Sequence, residues 1–188
     1  MRLLINALLI VSLCSTQAQA LLLGCGPTAT CQIADQETTV DESSYYIGAD
    51  SNHEYLGTKL NTNYTSVCSF VFNVGEISGT IAGKTYYFEE WTVDGSNSLV
   101  TKQQDLGSIA GSSVALGWNT ITVANLNLTS GRAIVIHAGA ISGAYIRVTH
   151  RNANSVANWT SAFGWKNDKT VQFAVADDDF NFKISTMQ

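Results

Sequence analysis

Two tryptophans sit among side chains that could make them binding residues. Trp159 follows Asn158, and Trp165 is followed closely by Asn167 and Asp168. An indole face packs well against the C–H face of a sugar ring, and neighbouring amides or carboxylates bond the ring hydroxyls. These two positions, placed on a loop by the surrounding polar residues, are therefore the preferred ligand-contact surface. The bland alternative is that a β-protein of this size needs large core residues, and for Trp159 and Trp165 both readings stay open. Trp91 and Trp118 lie within or at the entrance of apolar segments and are read as packing residues.

The carboxylates come next. Glu89 and Glu90 are adjacent in the segment 86–93, where successive side chains leave a strand on opposite faces. They cannot form one acid–base pair. One of them must face inward or line a cleft, where a carboxylate needs a partner. Asp177, Asp178 and Asp179 are three consecutive carboxylates before the last strand-like segment. Such a turn can supply hard oxygen ligands to a structural Ca²⁺, or it is simply a solvated acidic turn. His137 and His150 fall in consecutive strand-like segments and could be cross-strand neighbours, but no third metal ligand accompanies them and no serine sits in a nucleophile-elbow motif.

The elements that must position these groups read as strands throughout. Alternating or β-branched and aromatic runs occupy residues 45–48, 68–74, 86–93, 119–123, 133–138, 144–151, 171–175 and 180–184. Glycine- and asparagine-rich breaks separate them, and no segment keeps a helical period for three turns. About eight strands at this spacing imply an all-β, two-sheet antiparallel sandwich over residues 43–188.

The N-terminal part carries processing signals. Residues 1–20 have a basic start, an aliphatic core and a small-x-small ending at Ala18-Gln19-Ala20, the pattern of a cleavable signal peptide. No stretch is long and apolar enough for a transmembrane helix. Residues 21–42, with the single proline at Pro27, read as a tether or N-terminal arm. Cleavage after Ala20 leaves Cys25, Cys31 and Cys68, an odd number in an oxidising compartment. Leu22-Leu23-Gly24-Cys25 also has the form of a lipobox, which would acylate Cys25. In that case Cys31–Cys68 is the natural bridge; otherwise Cys25 pairs with Cys31 and Cys68 is a small buried residue. The chain is thus either secreted freely or anchored through Cys25. Charged residues make up only 13% of the chain, the net charge is -5, and no Lys/Arg run exists, which argues against nucleic-acid binding.

The order of features resembles a known class of module. Tyr45-Tyr46-Ile47-Gly48, Ser69-Phe70-Val71-Phe72, Asp94-Gly95, the run from Gly117-Trp118 to Val123, Ser130-Gly131 and the closing Asp179-Phe180-Asn181-Phe182-Lys183-Ile184 follow one another as in the jelly-roll accessory domains of secreted bacterial and phage-associated surface proteins, which are built like carbohydrate-binding modules. The resemblance implies a non-catalytic jelly-roll domain that binds glycan or another surface partner. A self-assembling structural or adhesive subunit is the alternative, and a glycan hydrolase using Glu89 or Glu90 is a third.

Overall fold

Every second residue of the segment Tyr86-Tyr87-Phe88-Glu89-Glu90-Trp91 points to the same side, and the computed structural model of the protein builds two layers on that alternation. It describes residues 29–40, 42–49, 54–138, 143–152, 156–175 and 178–188. Contacts divide the chain into Met1–Thr30 with Gln188, and Cys31–Met187. All strands among the described residues belong to the second unit.

The first sheet runs β1 (Cys31–Gln36), β13 (Phe182–Met187), β4 (Tyr64–Ser78), β9 (Tyr145–Arg151), β12 (Asp179–Phe180), with β2 (Glu42–Ile47) paired to β9 and β7 (Gly117–Leu128) paired to β4. The second runs β11 (Val171–Val175), β10 (Trp159–Trp165), β3 (Tyr55–Leu60), β8 (Ala133–Ala138), β5 (Thr85–Val93), β6 (Leu99–Ala110). All pairings are antiparallel. The only helical element among the described residues is one 3-10 turn, Gly111–Ser113. The two-sheet antiparallel sandwich expected from the spacing of strand signals is the observed architecture.

The main core lies between the sheets. Phe70, Phe72, Val74, Ile146, Val148, Phe182 and Ile184 of the first sheet face Phe88, Ile134, Ile136 and Leu56 of the second. Phe72 and Phe88 meet across the gap at 5.2 Å. Each such buried side chain contributes about 1.5–3 kcal/mol through removal from water. A second, smaller cluster sits on the far face of the second sheet: Tyr55, Trp91, Leu99, Ala133, Val135, Phe163 and Trp165. Strand β8 is therefore covered on both faces, which explains its almost unbroken apolar run Ala-Ile-Val-Ile.

Four strands differ from the sequence expectation. Cys31–Gln36, read as part of an arm, is the edge strand β1, antiparallel to β13 and mostly exposed. Its residues carry little strand signal; pairing with β13 and the disulfide to Cys68 hold it. The polar β6 likewise forms by pairing with β5 rather than by propensity. In β3, Gly57 allows close approach to β8, since a Cβ there would fall 2.0 Å from the Ile134 carbonyl oxygen. The fourth is β10, a strand that contains both candidate tryptophans where their polar neighbours predict a loop.

The bridge Cys31–Cys68 closes a separation of 37 residues. Cys68 is the extra residue where the β4 register shifts against β13, and the β7 ladder breaks at the same point through extra residues on β7, so Cys68 is free of ladder pairing and can reach β1. Replacing Cys31 with serine should cost about 2–4 kcal/mol of unfolding free energy. Denaturant titration measures this, and amide exchange should quicken first in β1. Unchanged stability would mean that pairing with β13 alone fixes the edge.

Candidate functional site

Strand β5 sends its side chains to two different environments. Tyr86, Phe88 and Glu90 point into the sandwich; Tyr87, Glu89 and Trp91 point to the far face of the second sheet. Glu90 is fully buried and fully engaged. Its Oε1 accepts the Thr129 backbone N–H at 2.8 Å, and its Oε2 accepts from Gln104 Nε2 at 2.8 Å and Arg132 Nη1 at 3.0 Å. This glutamate closes the end of the core and faces no cleft. It is structural.

Glu89 lies on the other face, in a cleft of about 480 Å³ lined by Tyr87, Glu89, Lys102, Asp105, Gly107, Ser108 and His137. Register assembles it. Tyr87 stands opposite His137 on β8, and His137 opposite Tyr55 on β3. The three rings lie in a row, Tyr87 stacked on His137 with centroids 5.2 Å apart and Tyr55 tilted against its other side at 4.8 Å. Tyr87 is 37% exposed, so the part of its ring not against His137 faces solvent at the cleft.

Two bulges deliver the opposite wall. The β5–β6 register shifts between Phe88 and Glu89 and again between Glu90 and Trp91. Asp105 thereby comes opposite Glu89, and Lys102 opposite Trp91. Residues three apart on a regular strand would face opposite ways; here both reach the cleft. Gly107 at the first bulge has φ +143, and a Cβ there would meet Ile121 Cγ2 at 2.6 Å. Only glycine fits this bend without displacing the core.

The charges are tightly coupled. Lys102 Nζ donates to Glu89 Oε1 at 3.1 Å and to Asp105 Oδ1 at 2.8 Å. Trp91 Nε1 donates to Glu89 Oε2 at 2.8 Å. His137 Nε2 lies 3.2 Å from Glu89 Oε1 but makes no well-aligned hydrogen bond to it. Burial alone would raise the Glu89 pKa, but the adjacent His137 and the bonds from Trp91 and Lys102 outweigh it and hold the carboxyl down at about 2. The bonds to Asp105 and Glu89 raise the pKa of Lys102. Burial, and then the charges of Glu54 and Glu89, pushes the Tyr55 phenol well above its ordinary range. Glu89 is thus an ionised anchor and a poor proton donor. His137 Nδ1 lies 3.3 Å from the Ala138 carbonyl, and Ser108 makes no hydrogen bond to the imidazole among the described residues. The cleft holds no serine–histidine nucleophile pair.

The sequence-selected residues are placed elsewhere. Trp159 is 1% exposed in the main core and donates its indole N–H to Tyr64 Oη at 3.0 Å. Trp165 is 0% exposed in the second cluster, stacks on Phe163, and donates to the Asn97 carbonyl at 2.8 Å. Neither ring offers a face to a ligand, because β10 lies inside the second sheet between β3 and β11. Asn158 bonds the Asp35 carboxylate, while Asn167 and Asp168 form the exposed β10–β11 turn, where Asp168 caps Thr170. These five residues do not converge on one surface.

Trp91 packs as expected, whereas Trp118 does not: it is 39% exposed. It alternates with the inward Asn119, Ile121 and Val123, so it lies on the outer face of the first sheet beneath Lys183 Nζ, 4.1 Å from the ring centre. His137 and His150 belong to different sheets and are not cross-strand neighbours.

Asp177 lies outside the described residues. Asp178 and Asp179 are buried rather than solvated: Asp178 Oδ2 accepts from Tyr45 Oη at 3.3 Å and lies 3.2 Å from His150 Nδ1, and Asp179 Oδ2 accepts the Val156 N–H at 2.9 Å. One oxygen of each of these two carboxylates, Oδ2, is thus engaged by the protein itself. Among the described residues no group of three His, Cys, Asp or Glu side chains is placed to hold a metal ion.

No family model and no curated protein matches the sequence. The fold is similar to a solved structure of the cysteine protease and lectin-like domains of Cwp84, a surface layer associated protein of Clostridium difficile, with a TM-score of 0.51 and 9% identity. The match covers 86% of this chain and 37% of that one, so the chain spans little more than a third of the solved protein's length. Among the described residues no helix is long and apolar enough to cross a membrane.

The anchored carboxylate has a measurable consequence. With a folded pKa of about 2 against an ordinary 4.5, Glu89 gives stability that is complete above pH 4.5 and lost as pH falls toward 2. The stability difference between wild type and Glu89→Gln should therefore shrink steadily over that window in acid titrations. A difference that stays constant would show that the Glu89 charge is not held by the cleft.

Proposed function

We propose that this chain is an exported, non-catalytic, lectin-like jelly-roll module that binds a saccharide in the cleft between Tyr87, His137, Lys102 and Asp105. The observation that carries the reading is the half-exposed Tyr87 ring, fixed by its stack on His137, beside charged groups already oriented by one another. A sugar presents C–H groups to such a ring and hydroxyls to such an edge. Preorganisation favours binding, because the ordering of these side chains is complete before the ligand arrives. The all-β likeness to a structure that includes a lectin-like domain supports the same reading.

The hydrolase alternative fares less well. Glu89 is held ionised by three neighbours and Glu90 is sealed in the core, which leaves no proton-donating carboxyl on this strand. The disulfide uses Cys31 and Cys68 and leaves Cys25 as the third cysteine of a chain cleaved after Ala20. Export then ends either in release or in acylation of Cys25, and the mass of the exported chain separates the two. A calcium ion is not part of this reading.

A polysaccharide pull-down followed by titration with the retained glycan tests the proposal. Wild type should bind, and Tyr87→Ala should weaken binding about five- to tenfold, the scale of one lost aromatic contact. Full retention by Tyr87→Ala would move the site elsewhere. Concentration-dependent assembly with no glycan retained would favour a self-assembling surface subunit.

A further inference from the structure

The charge balance of this cleft assigns a ligand class, on the reading that a saccharide binds there. Two carboxylates, Glu89 and Asp105, face one lysine. Both Glu89 oxygens already have partners: Oε1 meets Lys102 and His137, and Oε2 accepts from Trp91. Asp105 differs. Its side chain is 72% exposed, Oδ1 accepts from Lys102, and Oδ2 makes no bond among the described residues. An open anionic acceptor therefore stands at the rim beside the Tyr87 ring.

Lys102 resembles a site for anions only at first sight. Its ammonium is already bonded to two carboxylates, one of them at the rim, so an incoming anion meets the open oxygen of Asp105 rather than an unpaired cation. The other titratable groups at the cleft are His137, whose Nε2 is turned to Glu89, and the Tyr87 phenol. The whole chain, these groups included, carries a net charge of -5. A donor-rich ligand suits this arrangement. Hydroxyls can give hydrogen bonds to Asp105, and an ammonium can do so while also lying near the tyrosine face, where a cation is attracted to the ring.

We propose that the cleft takes neutral and amine-bearing saccharides, the amine-bearing ones more tightly, and rejects carboxylate-bearing ones, with Asp105 as the discriminating residue.

The test is a glycan array printed with neutral, free-amine and carboxylate-bearing versions of the same backbones, read at a pH where the sugar amines are protonated. Wild type should retain amine-bearing and neutral glycans at least about threefold better than carboxylate-bearing ones, the scale of one exposed charge contact. Asp105→Asn should raise the ratio of carboxylate to amine binding about three- to fivefold. Asp94→Asn removes the same charge five residues beyond Glu89, about 17 Å along the strand, and keeps the side-chain oxygen that bonds Ser96 and Ser98; the ratio should stay as in wild type. Equal or better retention of carboxylate-bearing glycans by wild type overturns the proposal and leaves saccharide binding standing. So does an Asp94→Asn shift as large as that of Asp105→Asn, since the effect would then be one of overall charge. Retention of no glycan of any class overturns the saccharide reading itself.

Discussion

Adjacent glutamates in the middle of a strand covered on both sides must each be satisfied separately. In β5 one face meets the main core and the other meets the second apolar cluster, so Glu89 and Glu90 leave in opposite directions. Glu90 is satisfied by Arg132, Gln104 and a backbone N–H, which draw the β7–β8 connection and β6 onto the end of the core. Removing one partner of such a buried pair costs several kcal/mol, because the other charge is left in the interior. Glu89 must collect its own donors on the far face. It obtains them from β8, from β6 and from Trp91, and the group of side chains that results is the cleft.

Much of the site's geometry follows from that requirement. His137 is held against Glu89 and so becomes the support on which Tyr87 stacks. Lys102 and Asp105 reach the same face only through the two β5–β6 bulges, and Gly107 permits the first of them. On the same face the second cluster packs Trp165 and Phe163 with Trp91 and Tyr55. Lys169 covers this cluster from outside, with its ammonium 4.9 Å from the Tyr55 ring centre and 5.6 Å from that of Trp91. The large aromatics are thus mostly buried, and the partly exposed Tyr87 is the contact surface we propose.

This division explains which features could be read in the amino-acid sequence. Period-two alternation identified all eight strand-like segments that were expected, and it required Glu89 and Glu90 to part. It also contained the correction for Trp118, whose even position sets it apart from the inward Ile121 and Val123. Strands β1 and β6 left little trace, because a disulfide, pairing with β13 and pairing with β5 hold them rather than side-chain propensity. Trp159 and Trp165 misled for a related reason. Their polar neighbours suggested a loop, yet strand order places β10 between β3 and β11 and buries both rings. Asp105 and Lys102 carried no motif at all. Their convergence depends on bulges, and bulges depend on how two strands meet.

The central claim is that ligand contact occurs on the far face of the second sheet, at Tyr87, and not on the exposed Trp118 of the first. Backbone amide NMR shifts recorded during titration with a retained glycan locate the contact directly. The account predicts the largest changes at Tyr87, Lys102, Asp105, Ser108 and His137, with Trp118 and Lys183 unmoved. Changes centred on Trp118 and Lys183, with the Tyr87 cleft silent, would contradict it.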